Sequence, residues 1–240
     1  DKKWHIFFHT HFGVYHFEST DGINWVKVKK LLGRAMRPDI NYVDGIYYLF
    51  YERTPPLLIS GLNFLNLCEW HSEIYVIESR DLRKWTEPKR VIKHTREYEN
   101  CDRGGVSISN PFFLLEGKKK RLYYSCGLTY IEDCHFCCSG CLKVYRVKDG
   151  YIGVQNGIYK EDGVSKSGIM LLSSQDGKSF KYEKMLLEPQ MCGEKTWMKQ
   201  YVYASHLVKY HDTLRLYFNA RDISNPLKGR ECIGFCEAKI

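Results

Sequence analysis

Short runs of alternating apolar and polar residues, rich in aromatic and β-branched side chains, recur along the whole chain. The clearest pair covers residues 37–43 and 46–53, with Asp44-Gly45 between the two runs. An Asp-Gly dipeptide between such runs is a strong signal for a β-hairpin. Long apolar stretches at helical spacing are missing, which predicts few helices. The pattern therefore predicts an all-β fold.

Two patterns repeat. The hairpin recurs at residues 110–125, 142–156 and 206–219, and a strand followed by Ser, x-Asp and an aromatic residue recurs before Trp25, Trp85 and Phe180. Each of these hairpins has a second strand, and the strand near Trp4 matches it in pattern. This gives five such second-strand segments, near Trp4, Tyr47, Leu122, Ile152 and Leu214. Repeats of three or four antiparallel strands are typical of propeller blades. We predict a single domain over residues 1–240, a five-bladed β-propeller with short or incomplete first and third blades.

One segment does not fit this pattern of short strands and turns. Residues 55–72 are too long for a tight turn and too apolar for a solvated linker. We expect a packed loop or a short helix there.

Charge and composition narrow the partners. The net charge of +8 would suit an anionic partner, but the lysine clusters lie beside predicted turns, where they protect strand edges. No nucleic-acid motif accompanies them, so we expect no nucleic acid as a partner. The absence of a long apolar run and of a signal-peptide pattern predicts no membrane contact and a cytoplasmic protein, with most of the ten cysteines reduced. The oligomeric state is not indicated.

Several segments together carry a resemblance to a known family. They are residues 4–10, 36–40, 48–52, 107–111, 133–137, 155–159, 217–222 and 229–231. In these segments the sequence resembles the five-bladed propeller glycosidases of the glycoside hydrolase family 43 and 32 superfamily, and is most similar to a family 43-like branch. The resemblance implies a glycoside hydrolase that acts on an oligo- or polysaccharide in the central funnel by carboxylate acid/base catalysis.

The resemblance also implies a catalytic set of two Asp residues and one Glu, contributed by inner strands of different blades. At the position of the second Asp this chain has Asn110, and near the position of the Glu it has Tyr203. Neither side chain has a carboxyl group. A glycan-binding propeller without catalytic activity is therefore the alternative function.

The candidate catalytic carboxylates lie at hairpin ends. Asp39 and Glu52 lie at the charged end of the first hairpin, and Asp222 follows the last complete one. One interpretation gives them acid/base or sugar-binding roles. The other makes Asp39 and Glu52 partners of nearby arginines in a structural ion pair. Both interpretations stay open from the sequence.

The candidate substrate-binding residues are polar side chains at the ends of predicted strands. Arg221 could hold a carboxylate or phosphate, or form an ion pair with Glu231. The amides could bind sugar hydroxyls or satisfy buried backbone groups. The full set is His9, Arg37, Asn110, Gln155, Asn156, Tyr203, Asn219, Arg221 and Glu231.

We expect no cofactor. Two metal sites are alternatives. One is zinc at Cys134, Cys137, Cys138 and Cys141, whose two adjoining C-x-x-C halves make tetrahedral ligation awkward. The other, implied by the resemblance, is a cation near the propeller axis bound through a histidine.

Overall fold

The structure is a computed structural model, and it describes residues 2–101, 104–126, 136–189, 196–225 and 228–239. These residues form sixteen β-strands and one α-helix, so the prediction of a mostly β fold is confirmed. The chain divides into two compact units, Asp1–Gly127 and Leu128–Ile240. Each unit is built from antiparallel meanders. The number of blades and the short first and third blades stay predictions.

The first unit contains nine strands and the helix. A three-stranded sheet is formed by β1 (Trp4–Thr10), β2 (Gly13–Ser19) and β3 (Val26–Leu32). A second meander follows, with β4 (Ala35–Val43), β5 (Ile46–Arg53), β6 (Trp70–Ser79) and β7 (Lys89–Ile92). The hairpin of β8 (Gly105–Glu116) and β9 (Lys119–Cys126) joins it through a parallel pairing between β6 and β8. The helix α1 (Leu57–Phe64) lies within the segment for which we predicted a packed loop or short helix.

The second unit contains seven strands in one sheet. They are β10 (Phe136–Val147), β11 (Gly150–Glu161), β12 (Val164–Ser174), β13 (Lys181–Leu187), β14 (Tyr201–Tyr210), β15 (Thr213–Arg221) and β16 (Glu231–Lys239). All neighbouring strands pair antiparallel except β12 and β14, which meet in a parallel bridge between Ser167 and Tyr201.

The hairpin of β4 and β5 turns as its sequence predicts. Asp44 and Gly45 have φ angles of 50° and 82°, the positive values that a two-residue type I′ turn needs at both central positions. This turn fixes the register, so that Ile40 lies opposite Leu49, and a later shift between Asp39 and Met36 places Met36 opposite Glu52. The charged residues at the two ends of the hairpin therefore meet at one edge.

The repeated Ser-x-Asp pattern forms the same turn three times, at Ser19–Asn24, Ser79–Lys84 and Ser174–Ser179. We call these the Ser-Asp turns. In the third turn, Ser174 Oγ donates to Asp176 Oδ1 at 3.0 Å, and that oxygen accepts the backbone N–H groups of Lys178 and Ser179 at 2.8 and 2.9 Å. These backbone bonds are the main cause that lowers the pKa of Asp176 to about 2. The strands β2, β6 and β12 each end at the serine of one of these turns.

Both faces of the second meander are covered within the first unit. On one face, Leu49, Tyr51 and Ile77 form a core with Val14 of β2 and Ala35. The other face packs on the hairpin of β8 and β9, in a core formed by Phe50, Ile74, Val76, Val106 and Ile108. The carboxylates of Asp39 on β4 and Glu52 on β5 are therefore buried. In the second unit, the main core contains Val154, Ile169, Met198, Val202, Leu216, Phe218 and Ala220.

Among the residues that the structure describes, no helix has both the length and the apolar character needed to span a membrane.

Candidate active site

Four hairpins share an irregularity near the start of their first strand. In each, the strand pairing shifts register at a β-bulge, and one residue of the bulge has a left-handed backbone. These residues are Arg37, Asn110, Cys141 and Ala204, with φ angles of 53°, 52°, 58° and 52°. Bulges redirect side chains and often lie next to functional sites. The first unit has two of them and the second unit has the other two.

A polar side chain lies opposite each bulge, on the second strand of the hairpin. These residues pair with the residue just before the left-handed one. They are Glu52 opposite Met36, Ser125 opposite Ser109, Asn156 opposite Gly140 and Asn219 opposite Tyr203. Glu52, Asn156 and Asn219 were predicted as site residues from the sequence. Ser125 was not, because a bulge register cannot be read from strand patterning alone.

Glu52 forms an ion pair with Arg37 in the first unit. Its side chain is fully buried, whereas that of Arg37 is 36% exposed. One carboxylate oxygen, Oε2, accepts from Nη1 of Arg37, and the other, Oε1, is buried without a hydrogen-bond partner in the described part of the chain. A carboxylate oxygen without a hydrogen-bond partner is suited to proton transfer once substrate reaches it.

Asp39 links two strands of the first unit. Its side chain is buried, and its Oδ2 accepts the backbone N–H of Phe113 on β8 at 2.9 Å and the amide of Asn41 at 2.7 Å. The carboxylate therefore holds β4 against β8. These two bonds give Asp39 a structural role, the kind of role that the sequence left open.

Four predicted substrate-binding residues converge in the second unit. The amide of Asn219 donates to Oε1 of Glu231 at 3.0 Å, and Nη1 of Arg221 lies 3.7 Å from Oε2 of the same carboxylate. Tyr203 also bonds Glu231, and burial followed by this bond raises the pKa of the Tyr203 hydroxyl. The Glu231 side chain is 44% exposed. We call these four residues the Glu231 cluster.

Arg221 is held by backbone as well as by Glu231. Its guanidinium donates to the carbonyl oxygens of Ile223 at 3.0 Å and Asn225 at 2.7 Å. Gly229 packs against it, since a Cβ at this glycine would lie 2.6 Å from Nε of Arg221. Asp222, the third predicted catalytic carboxylate, is half-buried and accepts the backbone N–H of Arg230 at 2.8 Å.

The remaining predicted site residues do not belong to the Glu231 cluster. Asn110 donates to Ser109 Oγ at 3.1 Å, and buried Gln155 donates to Ser139 Oγ at 2.9 Å. The amide oxygen of Asn156 is buried and has no partner among the described residues. His9 lies on β1, half-buried and opposite Val14.

A buried histidine pair was not predicted. Nδ1 of His5 and Nε2 of His16 lie 2.9 Å apart, and the ring of Phe7 stacks on His16 at 4.4 Å between centroids. His16 is fully buried. Burial, and then the neighbouring His5, lowers the pKa of His16 from 6.5 to about 4. His16 is therefore neutral at physiological pH.

The predicted metal sites stay predictions. Cys134 and the side chains of Cys137 and Cys138 fall outside the described part of the structure. Within the described residues, no group of three or more metal-binding side chains is present.

One cleft of the first unit does not contain the candidate carboxylates. It has a volume of about 570 Å³ and lies beside α1, lined by Asn63, Asn66, Leu67, Cys68 and Glu69. Its one carboxylate, Glu69, is 62% exposed and pairs with His71 at 3.1 Å.

The chain is similar to several solved structures of glycan-degrading proteins. The exo-1,5-α-L-arabinanase from a bovine ruminal metagenomic library aligns with a TM-score of 0.64 at 14% identity, over 98% of this chain and 89% of that one. The Cellvibrio cellulosa α-L-arabinanase complexed with arabinohexaose gives 0.65 at 14% identity, over 97% and 88%. The family 43 endo-arabinanase from Bacillus licheniformis gives 0.63 at 14% identity, over 98% and 90%.

These likenesses define the class of fold, that of the β-propeller glycosidases. The chain has the fold of glycoside hydrolase family 43 and its relatives, which confirms the resemblance seen in the sequence at the level of fold. No family model matches the chain. No curated protein matches it either.

Proposed function

We propose that this protein is a glycoside hydrolase that cleaves O-glycosidic bonds in an oligo- or polysaccharide. The observation that carries the proposal is the Glu231 cluster, in which an exposed carboxylate is held by an amide and a phenol on a fold shared with arabinanases. Amide, hydroxyl and carboxylate groups at one point are suited to binding sugar hydroxyls through directed hydrogen bonds.

Glycoside cleavage requires two carboxyl groups, one that donates a proton and one that acts as base or nucleophile. We assign proton transfer to Glu52, whose Oε1 is not committed to another group in the described residues. Because Glu52 is fully buried, contact with substrate requires the groups around it to rearrange, and its ion-pair partner Arg37 is the half-exposed one. Asp39, on the first strand of the same hairpin, is proposed as a positioning residue.

Glycan binding without hydrolysis is the second candidate function. The bonds of Asp39 to Phe113 and the burial of Glu52 favour it, because both carboxylates of the first hairpin then serve to hold strands together. Asn110 and Tyr203, which stand at positions where the resemblance implies carboxylates, point the same way.

A panel of aryl glycosides and oligosaccharides tests the proposal. Arabino-oligosaccharides come first in the panel because the similar structures include arabinanases. Release of reducing sugar and binding by calorimetry are measured on the same preparation. Hydrolysis of at least one substrate supports the enzyme, and binding without release of sugar supports the alternative. If no glycan is bound or hydrolysed, both functions are refuted.

A further inference from the structure

A second cleft opens at one end of the second meander in the first unit. It has a volume of about 170 Å³ and lies where β4 begins, β5 ends and β6 begins. Two arginines and a histidine contribute to its lining, which consists of Arg34, Arg53, Thr54, His71, Glu73 and Tyr75. These residues are spread over about forty positions of the sequence and form no motif there.

The backbone holds the two arginines at the same strand ends. Arg34 precedes β4 with a left-handed backbone, φ 51°. Its carbonyl accepts the N–H of Thr54 at 3.0 Å, and its Nε donates to the carbonyl of Thr54 at 3.2 Å. Because Ala35 pairs with Arg53, Arg34 and Arg53 are brought to one edge of the sheet.

The guanidinium of Arg53 has no carboxylate partner among the described residues. It lies 4.9 Å from the centroid of the Tyr75 ring, which is a cation–π contact. The cleft has one carboxylate, Glu73, and both of its oxygens face Nη1 of Arg90 at 3.4 and 3.3 Å. The charge of Glu73 is thus balanced from outside the cleft, and the N–H groups of two arginines are left for another acceptor.

Planar guanidinium groups bind carboxylates and sulfates through paired N–H donors. Two such groups in one small cleft also repel each other, and an anion between them relieves that repulsion. His71 also lines the cleft, and its Nε2 lies 3.1 Å from a carboxylate oxygen of Glu69. The cleft is therefore suited to an oxyanion.

The cleft lies close in sequence to the proposed catalytic carboxylate. Arg53 directly follows Glu52 in β5, and successive residues of a strand point to opposite faces. The cleft and the Glu52 pair are consequently at the same end of one hairpin, on opposite faces of the sheet.

We propose that this cleft binds the anionic group of an acidic glycan, either a sugar carboxylate or a sulfate ester. The proposal rests on the proposed function, because it names the class of glycan that the protein takes. It is independent of catalysis, because binding of the anion does not require bond cleavage.

Calorimetry at low salt tests the proposal with four probes of stated chemistry. They are inorganic sulfate, a uronate oligosaccharide, a sulfated oligosaccharide and a neutral oligosaccharide of the same length. We expect one of the two acidic oligosaccharides to bind at least tenfold more tightly than the neutral one, which also identifies the source of the anion. Inorganic sulfate is expected to compete with it.

The variants Arg34→Gln and Arg53→Gln should each weaken binding of that oligosaccharide about tenfold or more. Arg53→Lys keeps the charge but not the fork and should give an intermediate loss. Arg80→Gln is the matched control, because Arg80 is exposed and outside the cleft. Circular dichroism verifies that each variant is folded.

Equal affinity for acidic and neutral probes, or unchanged affinity in both glutamine variants, would overturn the proposal. The proposed glycoside hydrolase and the proposed anion site can be refuted independently of each other. Anion binding that depends on both arginines without hydrolysis of any glycan supports the cleft and removes the enzyme. Hydrolysis of neutral glycans without anion binding supports the enzyme and removes the cleft.

Discussion

Replacement of Asp39 by alanine should destabilise the protein markedly. The carboxylate accepts two hydrogen bonds, from the backbone N–H of Phe113 and the amide of Asn41. A hydrogen bond to a charged group contributes about 1.5–3 kcal/mol, so the loss of both costs about 3–6 kcal/mol. Because Asn41 is half-buried and can turn to water, we expect the lower end, about 3 kcal/mol, for Asp39→Ala.

The variant Asp39→Asn separates structure from charge. Its side-chain oxygen can still accept the N–H of Phe113, so we expect a smaller loss of about 1–2 kcal/mol. Equilibrium unfolding in urea, followed by tryptophan fluorescence, measures both variants. Glu87→Ala is the control, since Glu87 is exposed, and it should change stability by less than about 0.5 kcal/mol. If Asp39→Ala unfolds at the same urea concentration as this control, Asp39 does not hold β4 to β8.

Three further predictions concern local structure. Gly45→Ala should lower the free energy of unfolding by about 1–2 kcal/mol, because a φ of 82° strains any residue with a side chain, although no atom lies within 4 Å of the new Cβ. Thermal unfolding measures this loss, and the control Gly33→Ala should leave the stability nearly unchanged. The folded-state pKa of His16, about 4, lies below its usual value of 6.5, so its contribution to stability is present above pH 6.5 and is lost as the pH falls towards 4. Urea unfolding should show this loss, and His16→Gln should reduce it; an equally steep loss in the variant would contradict the assignment. NMR titration of Asp176 should give a pKa near 2, and Ser174→Ala should raise it. A value near 4 in the intact protein would contradict the Ser-Asp turn.

Local chemistry carried much of the fold prediction. Asp44-Gly45 predicted a hairpin whose strands end at Val43 and begin at Ile46, as observed. The Ser-x-Asp pattern forms the same turn each time because each Asp side chain bonds backbone groups only two and three residues away. Signals of this kind depend on neighbours in sequence and can be read without the tertiary structure.

Long-range contacts could not be predicted in the same way. The bond of Asp39 to Phe113 joins residues 74 positions apart, and its existence depends on how two hairpins pack. The positive φ of Arg37 depends on a bulge that shifts the register between Met36 and Asp39. The cleft of Arg34 and Arg53 likewise requires strand ends to meet.

The Glu231 cluster was partly predictable, because its residues lie at the ends of strands that are neighbours in sequence. Tyr203, Asn219, Arg221 and Glu231 lie at the ends of three consecutive strands, so a meander brings them together once its register is known. The sequence alone gave two roles for Arg221, and the structure has it beside Glu231 at 3.7 Å. Whether these groups bind a sugar is a matter of chemistry that strand patterning does not address.

The most direct test of the central claim is the turnover number of Glu52→Gln on the best substrate of the glycan panel. Gln keeps the size of Glu52 but cannot transfer the proton, and general acid/base catalysis contributes about 10²–10⁴-fold to a rate. The account predicts a fall in kcat of at least about 100-fold, with the thermal midpoint measured alongside and Glu87→Gln unaffected. A folded Glu52→Gln protein with the kcat of the wild type would contradict it.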